Sequence, residues 1–402
     1  MNAARAGSTV ASCSTTNSLN AKMHSEVEQQ RKPSLTAFEI QALSAGINLT
    51  DGHPRQDLTP SQRKIVERLP QLFDQAGSQD FNELERRSQR AFMDAVGQAC
   101  APVESGRVHS IYASSVATTA VGYAMARCGG TIALLHPTFD NLHDLLSRHL
   151  HVVPLEEPYD AAAAPAAVAA QGATAIFLTT PNNPTGSYLD ESQLQDLITG
   201  CLKHDLTLCL DTSFRGFDPR AQFDHYEHLE GSGVRYVVIE DTGKLWPVLE
   251  LKLGFIAVSK HWQTEFEQVL SDILLSVSPL VLSLVEKLAE DAANGGLQRL
   301  QELMIVNRTT VANAVAEMPG VVCPDTDARV SVTRIQFPSA VAADRVHAGL
   351  LERGIHVLPC GPFHWAQPQK PVDTLRVALA RNPDEVARAM TQLRDVWTEL
   401  RA

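Results

Sequence analysis

The sequence lacks any excess of positive charge. Its 34 Lys and Arg stand against 46 Asp and Glu, a formal net charge of −12. A phosphate backbone needs a basic surface, so nucleic acid is not an expected partner. Paired cysteines are lacking too. The seven cysteines, at 13, 100, 128, 201, 209, 323 and 360, form no CxxC and are odd in number. They read as reduced thiols in a cytoplasmic protein. No run approaches the ~18 apolar residues of a membrane span, so no membrane role is expected. The first thirty residues are rich in Ser, Asn and Ala and contain no apolar stretch. Residues 1–32 therefore read as a disordered tail, not a signal peptide. Internal repeats and coiled-coil heptads are also missing.

What is present is a chain of 402 residues, too long for one small core. One large and one smaller domain are expected. Residues 33–60 form a separate arm: a short helical pattern (Phe38, Ile40, Leu43) and then a loop from Asn48 to Arg55, where Gly52 and Pro54 mark a turn. Ser61 is placed to cap a helix carrying Ile65, Val66 and Leu69. From Ser110 to Val258 strands and helices alternate, which predicts an α/β domain with a mainly parallel sheet flanked by helices. Within it, a helix is expected over 117–127 behind Ser114-Ser115-Val116. A second is expected over 140–149, and a surface helix with a loop over 161–170. The large domain is expected over 61–285. Beyond it, over 286–402, lies a small α+β domain. Helices are expected over 280–292 and 297–316, strands over 330–337, 355–358 and 374–379, and a last helix over 384–401.

Three apolar runs carry polar residues at their C-terminal ends. Ala175-Ile-Phe-Leu leads into TTPNNPTG, Leu206-Thr-Leu-Cys-Leu ends at Asp211, and Tyr236-Val-Val-Ile precedes Lys244. Parallel strands that end this way feed one cleft. The residues there suit pyridoxal phosphate (PLP), which needs an imine-forming lysine, an acid at the pyridine nitrogen, a phosphate cradle and an aromatic stacker. Lys244 supplies the amine and Asp211, with Ser213 beside it, the acid. Ser114 and Ser115, where a helix begins, suit the phosphate, and Lys252 adds a cation to it. Phe139 stacks on the ring, and Asn183 donates to the ring oxygen. Arg376, on a small-domain strand, suits an α-carboxylate, with Asn183 close to the same substrate group. Glu39, Asp51 and Asp241 are spare acids with no evident partner. They suit a cationic side chain, arginine above all.

Each residue also has a plainer reading. An aspartate at a strand end is more often a cap, and a lone lysine a solvated charge. Phe139 reads as core, Arg376 as a surface ion pair, and Glu39 and Asp51 as solvated arm residues. His53, between Gly52 and Pro54, reads as an exposed loop histidine. His225 and His228 have metal-ligand spacing but no third ligand, so a surface helix is the better reading. No metal site is expected, and His136, His143 and His364 receive no such role. It is the joint order on successive strand ends that makes the cofactor reading specific.

The set PNNPTG, Asp211, Lys244, Lys252 and Arg376 resembles fold-type I aminotransferases, over roughly residues 34–400. Two positions depart from them. Phe214 stands where a tyrosine is usual, and Asp241 where a phosphate-binding serine is usual. With those departures, the stretches LTAFE, GINLTDGHPRQ, HPTFDN, LDTSFRGFD, VIEDTGKLWP, SDILLSVSPL and LPCGPFHWA resemble a subgroup. These are the PLP-dependent L-arginine oxidases and hydroxylases of enduracididine, azomycin and indolmycin biosynthesis. The resemblance implies that the arm closes over the site as a lid. Thr36, Glu39 and His53 would be its active residues, and Asp241 would hold the guanidinium. It implies a homodimer. It also implies oxidation of L-arginine by dioxygen, with no flavin or metal, to 4-hydroxy-2-oxoarginine, some 2-oxoarginine, ammonia and peroxide. A 4,5-unsaturated product, a hydroxyarginine cyclase, an ordinary aminotransferase and a non-enzymatic regulator on this fold are the alternatives. The short tail has no room for the DNA-binding module that the last would need.

Overall fold

The computed structural model describes residues 33–127 and 129–401, so the tail expected at 1–32 lies outside it. The arm comes first. A helix, Leu35–Gln41, is followed by a two-residue strand, β1 (Ile47–Asn48). The alternating segment then forms β2 (Val108–Ile111), β3 (Thr131–His136), β4 (His151–Glu156), β5 (Ala175–Thr179), β6 (Thr207–Asp211), β7 (Arg235–Asp241) and β8 (Gly254–Val258). These make one seven-stranded sheet in the order β2-β8-β7-β6-β5-β3-β4. All neighbours pair parallel except β8, which runs antiparallel to both β7 and β2. The expected α/β architecture is found.

β5, β6 and β8 are buried at every residue. That is the signature of strands covered on both faces. β5, β6 and β7 lie side by side, with Thr179 opposite Asp211 and Asp211 opposite Ile239. Their C-terminal ends therefore deliver the following loops to one place.

The small domain holds β9 (Val332–Gln336), β10 (Ile355–His356), β11 (Leu358–Pro359) and β12 (Thr374–Ala378). β11, β12 and β9 form an antiparallel sheet. The arm is stitched to this domain. β1 pairs in parallel with β10, and Leu49 bonds through its N–H to His356 O (2.8 Å) and through its carbonyl to Ala378 N (2.9 Å). Gly186 of PNNPTG has φ +75, and a Cβ there would come within 2.3 Å of Ala328 Cβ. Only glycine lets that loop pass so close to the small domain.

Several expectations are corrected. Thr59, not Ser61, caps the helix Pro60–Glu67, in a reciprocal capping box with Gln62. The first helix after β2 begins at Ser114 and ends at Ala126, and the helix from Asp140 stops at Leu146. The alanine-rich helix, Ala164–Ala169, buries Ala164, Pro165 and Val168, so one face is core. The strand expected over 355–358 divides, β10 pairing with the arm and β11 with β12. The helix Pro279–Asp291 lies against Phe81–Ala95 of the large domain. It buries Leu282, Val285, Leu288 and Ala289 there. Cys100, Cys201, Cys209, Cys323 and Cys360 are free thiols. No helix among the described residues is long and apolar enough to cross a membrane.

Candidate active site

Lys244 ends a one-turn 3-10 helix, Thr242–Lys244, directly after β7. Asp241 caps that turn, its Oδ1 accepting from Gly243 N–H (2.8 Å). Its Oδ2 accepts from Ser114 Oγ (3.1 Å), across the cleft mouth. The Lys244 ammonium makes no hydrogen bond or ion pair among the described residues. It lies 5.7 Å from the centroid of the Phe214 ring.

Asp211, at the end of β6, is buried. Ser213 donates to its Oδ1 through both N–H and Oγ, and no donor among the described residues reaches Oδ2. Burial raises its pKa, and the Ser213 bonds only partly oppose this. A buried carboxylate with one free oxygen and no ion-pair partner fits a pyridinium N–H, which would relieve that cost. Ser114 and Ser115 open the helix Ser114–Ala126. Its N-cap, Ala113, offers no side-chain acceptor, so the Ser114 and Ser115 N–H groups remain for an anion, while Val116 and Ala117 bond to Ala113 O. Phe139 is half-buried and meets Phe363 edge-on, 5.9 Å between centroids. The donor set therefore fits PLP. Lys244 would hold it covalently, Asp211 would keep its ring nitrogen protonated, Ser114, Ser115 and Lys252 would hold its phosphate, and Phe139 would cover its ring.

Arg376 points inward from β12 and is fully buried. Its Nη1 donates to Asn183 Oδ1 (3.0 Å) and its Nη2 to Thr50 O. Phe363 lies beneath it at 5.5 Å. Nε is buried without a partner. Asn183 thus spends its carbonyl on Arg376 and keeps its NH2 for another acceptor.

The arm closes this space. A Cβ built on Gly52 would lie 3.5 Å from the Phe214 ring and 4.0 Å from Lys244 Nζ. Phe214, where a tyrosine is usual, thus forms the apolar wall on which the arm rests. Glu39 stands 3.6 Å from Arg376, and burial pushes its pKa up. His53 is half-buried, its Nε2 3.1 Å from Lys252 Nζ. The Lys244 charge, then burial and the Lys252 charge, hold its pKa at about 2. It is a neutral imidazole that accepts from Lys252.

Two expected site residues are placed differently. Thr36 is exposed. Leu35 and Glu39, four apart, face inward, while Thr36 and Ile40 lie on the opposite side of the same helix. Asp51 is not a spare acid. Arg55 Nη2 (2.8 Å) and Arg381 Nη2 (3.1 Å) both donate to it. Burial acts against its charge, but Arg381 and Arg55 outweigh that and hold its pKa at about 2. His225, expected on a surface helix, is buried, its Nδ1 2.6 Å from Arg215 Nη1. Arg381 and Asp140 were missed from sequence. Arg381 is fully buried and bonds to Asn48 O (2.6 Å), Asp51 O (3.0 Å) and His53 O (2.7 Å). Asp140 accepts from Leu35 N–H (2.9 Å). The only local signals were an arginine just past a small-domain strand and an acid just past HPTF.

This seven-stranded sheet, with its strand-end lysine and aspartate, is that of a PLP enzyme. Residues 45–393 match the aminotransferase class I and II family, and the chain belongs to it. The chain is also similar to a solved structure described as MppP soaked with the product 2-ketoarginine. Identity is 41%, the TM-score is 0.84, and the match covers 87% of this chain and 99% of that one. Aspartate aminotransferase from Thermus thermophilus with maleate shares the fold at TM-score 0.75 and 16% identity, over 92% of this chain and 98% of that one. Histidinol-phosphate aminotransferase 1 from Burkholderia lata is 24% identical over 57% of this chain. That match spans only 58% of the relative's own length.

Proposed function

We propose that this chain oxidises L-arginine with dioxygen in natural-product biosynthesis, giving 4-hydroxy-2-oxoarginine with some 2-oxoarginine, ammonia and hydrogen peroxide. The observation that carries the reading is the closed arm. It brings a carboxylate (Glu39) and a neutral imidazole (His53) within range of the Lys244 charge. The 2-ketoarginine in the related MppP structure supports the choice of substrate.

Bound PLP would withdraw electrons from the amino acid and make its Cα–H acidic. The chain's own residues then divide the work. Arg376 holds the α-carboxylate, its buried Nε being a donor with no partner among the described residues. The Asn183 NH2 holds the ring oxygen. Lys244 Nζ takes up the Cα proton and returns it to solvent between turnovers. Glu39 and Asp241 flank the cleft, and they attract the guanidinium once Arg376 is occupied by carboxylate. His53 accepts from Lys252 through Nε2, so its Nδ1–H can orient one water toward Cγ. The arm shuts out other water, which would otherwise protonate the activated carbon. By atom balance, one dioxygen is reduced to peroxide for each 2-oxoarginine, and two for each hydroxylated product. The exposed apolar corner described below supports a homodimer as the working form.

The test supplies L-arginine to coenzyme-loaded protein with and without oxygen, and follows peroxide and product mass. Peroxide and a hydroxylated oxo acid are expected only in air. Amino transfer to a 2-oxo acid, with no peroxide, overturns the reading in favour of an ordinary aminotransferase. Ring closure of hydroxyarginine without oxygen overturns it in favour of a cyclase.

A further inference from the structure

Leu35, the first residue of the arm helix, touches both domains at once. Its side chain is fully buried among Leu358, Cys360 and Phe363 of the small domain, with Phe38, Phe139 and Val372 at the margin. Its N–H donates to Asp140 Oδ2 of the large domain at 2.9 Å. Asp140 directly follows Phe139, the ring that would cover the cofactor. Its carboxylate is buried, and Oδ1 lacks a well-aligned hydrogen-bond partner. Burial lifts its pKa to about 6, and the Leu35 N–H bond is the largest influence holding it down. With no arginine or lysine beside it, this carboxylate is solvated chiefly by the arm's N–H, with the Asn141 backbone amide and His143 as lesser influences.

Beyond the helix, the arm's backbone hydrogen bonds go to the small domain, while Gly52 rests on Phe214 and His53 bonds to Lys252 in the large domain. β1 pairs with β10, and Arg381 binds the carbonyls of Asn48, Asp51 and His53. The Leu35–Asp140 bond is what joins the arm helix to the large domain beside Phe139. It can form only when the two domains are together, because Leu35 must fill a small-domain socket while its amide reaches a large-domain acid.

We propose that Asp140 is a positioning residue for the oxidation: by accepting the Leu35 N–H it latches the arm across the closed domains, and so keeps His53 and its water in register. The proposal rests on the arm-closure reading above.

Amide exchange over residues 34–44 tests it, measured by mass spectrometry on coenzyme-loaded protein, with and without L-arginine under nitrogen. Asp140→Ala should exchange on the order of tenfold faster than the parent in this segment, as loss of a charge-assisted bond predicts. Exchange in β6 should be unaltered. In air, the share of unhydroxylated 2-oxoarginine should rise. A second pair probes the bond from the other side. Ser34 already has the extended backbone that a following proline requires (φ −70, ψ 161), and proline is tolerated at a first helical position. Leu35→Pro removes the N–H, whereas Leu35→Val keeps it with a comparable loss of side chain. The proline variant should exchange faster than the valine variant. This pair decides the matter if Asp140→Ala fails to fold. Equal exchange and product share in Asp140→Ala and parent overturn the latch. So do equal exchange in the two Leu35 variants and a parent arm unprotected in both conditions. If the parent makes no peroxide from L-arginine while exchange still depends on Asp140, the latch stands and the arginine reading falls.

Discussion

His53 is a histidine placed between two ammonium groups, and its charge state follows from that placement. Lys244, burial and Lys252 hold its pKa at about 2, against 6.5 for a free side chain. Below pH 6.5 the unfolded chain gains a proton there that the folded chain refuses. Stability from this residue is therefore complete above pH 6.5 and falls as pH drops through the window from 6.5 toward 2. At pH 5 the loss is about 1 kcal/mol once partial exposure is discounted. Urea unfolding of coenzyme-free protein at pH 7 and pH 5 measures it. The parent should lose more stability than His53→Asn, and equal losses would contradict the assigned environment. In the loaded enzyme, His53→Ala should keep oxidation but move product toward 2-oxoarginine. An unchanged product ratio removes His53 from water placement. Lys244→Ala should lose the coenzyme's visible absorbance and all turnover. A band that borohydride still fixes onto another lysine would refute that role.

The arm, as an element, is held by one carboxylate shared between two arginines of different exposure. Arg381 is buried and the Arg55 side chain 37% exposed. Asp51→Ala leaves Arg381 charged and buried without its counterion, a loss of roughly 3 kcal/mol. Arg55→Ala removes the partly exposed cation and leaves Asp51 paired with Arg381, and should cost less, about 1 kcal/mol. Urea midpoints of the two variants should separate accordingly, and equal costs would mean that the backbone carbonyls alone satisfy Arg381. None of this was legible in the sequence. Asp51 and Arg381 are 330 residues apart, as are Leu35 and Asp140 by 105, and no local pattern announces either pair. What was legible was periodic or terminal. The buried strands read as apolar runs, and Asp211 and Lys244 stood out because they end such runs. The exposure of Thr36 was not legible, because matching a motif does not say which face of a helix a residue takes. Asp51 looked spare because its two cations, one four residues on and one at the far end of the chain, carried no sign of contact.

At the scale of the whole molecule, one corner of the large sheet remains unfinished. Leu275 is 100% exposed and Leu249 94%, with Tyr112, Leu251 and Ile273 also exposed. Two connections bring their segments to one edge of the sheet. Ile111 pairs with Gly254, so Tyr112 leaves β2 where the Leu249–Leu253 segment enters β8. Tyr112 Oη also donates to Ser276 O (3.4 Å), next to Leu275. Leu249 and Glu250 both hold positive φ, 52 and 67, a conformation that costs a side-chain-bearing residue roughly 1–2 kcal/mol. Large apolar side chains and a strained loop at one corner are what a second copy of the chain would cover and stabilise. The corner adjoins Lys252, so its cover would also shield the phosphate end of the cleft. The parent should therefore sediment as a dimer of the 43.8 kDa chain. The double variant Leu249→Glu, Leu275→Arg should sediment as a monomer and release its coenzyme on dialysis. Full coenzyme retention by a monomeric variant would show that each site is complete within one chain, and that this corner serves assembly alone.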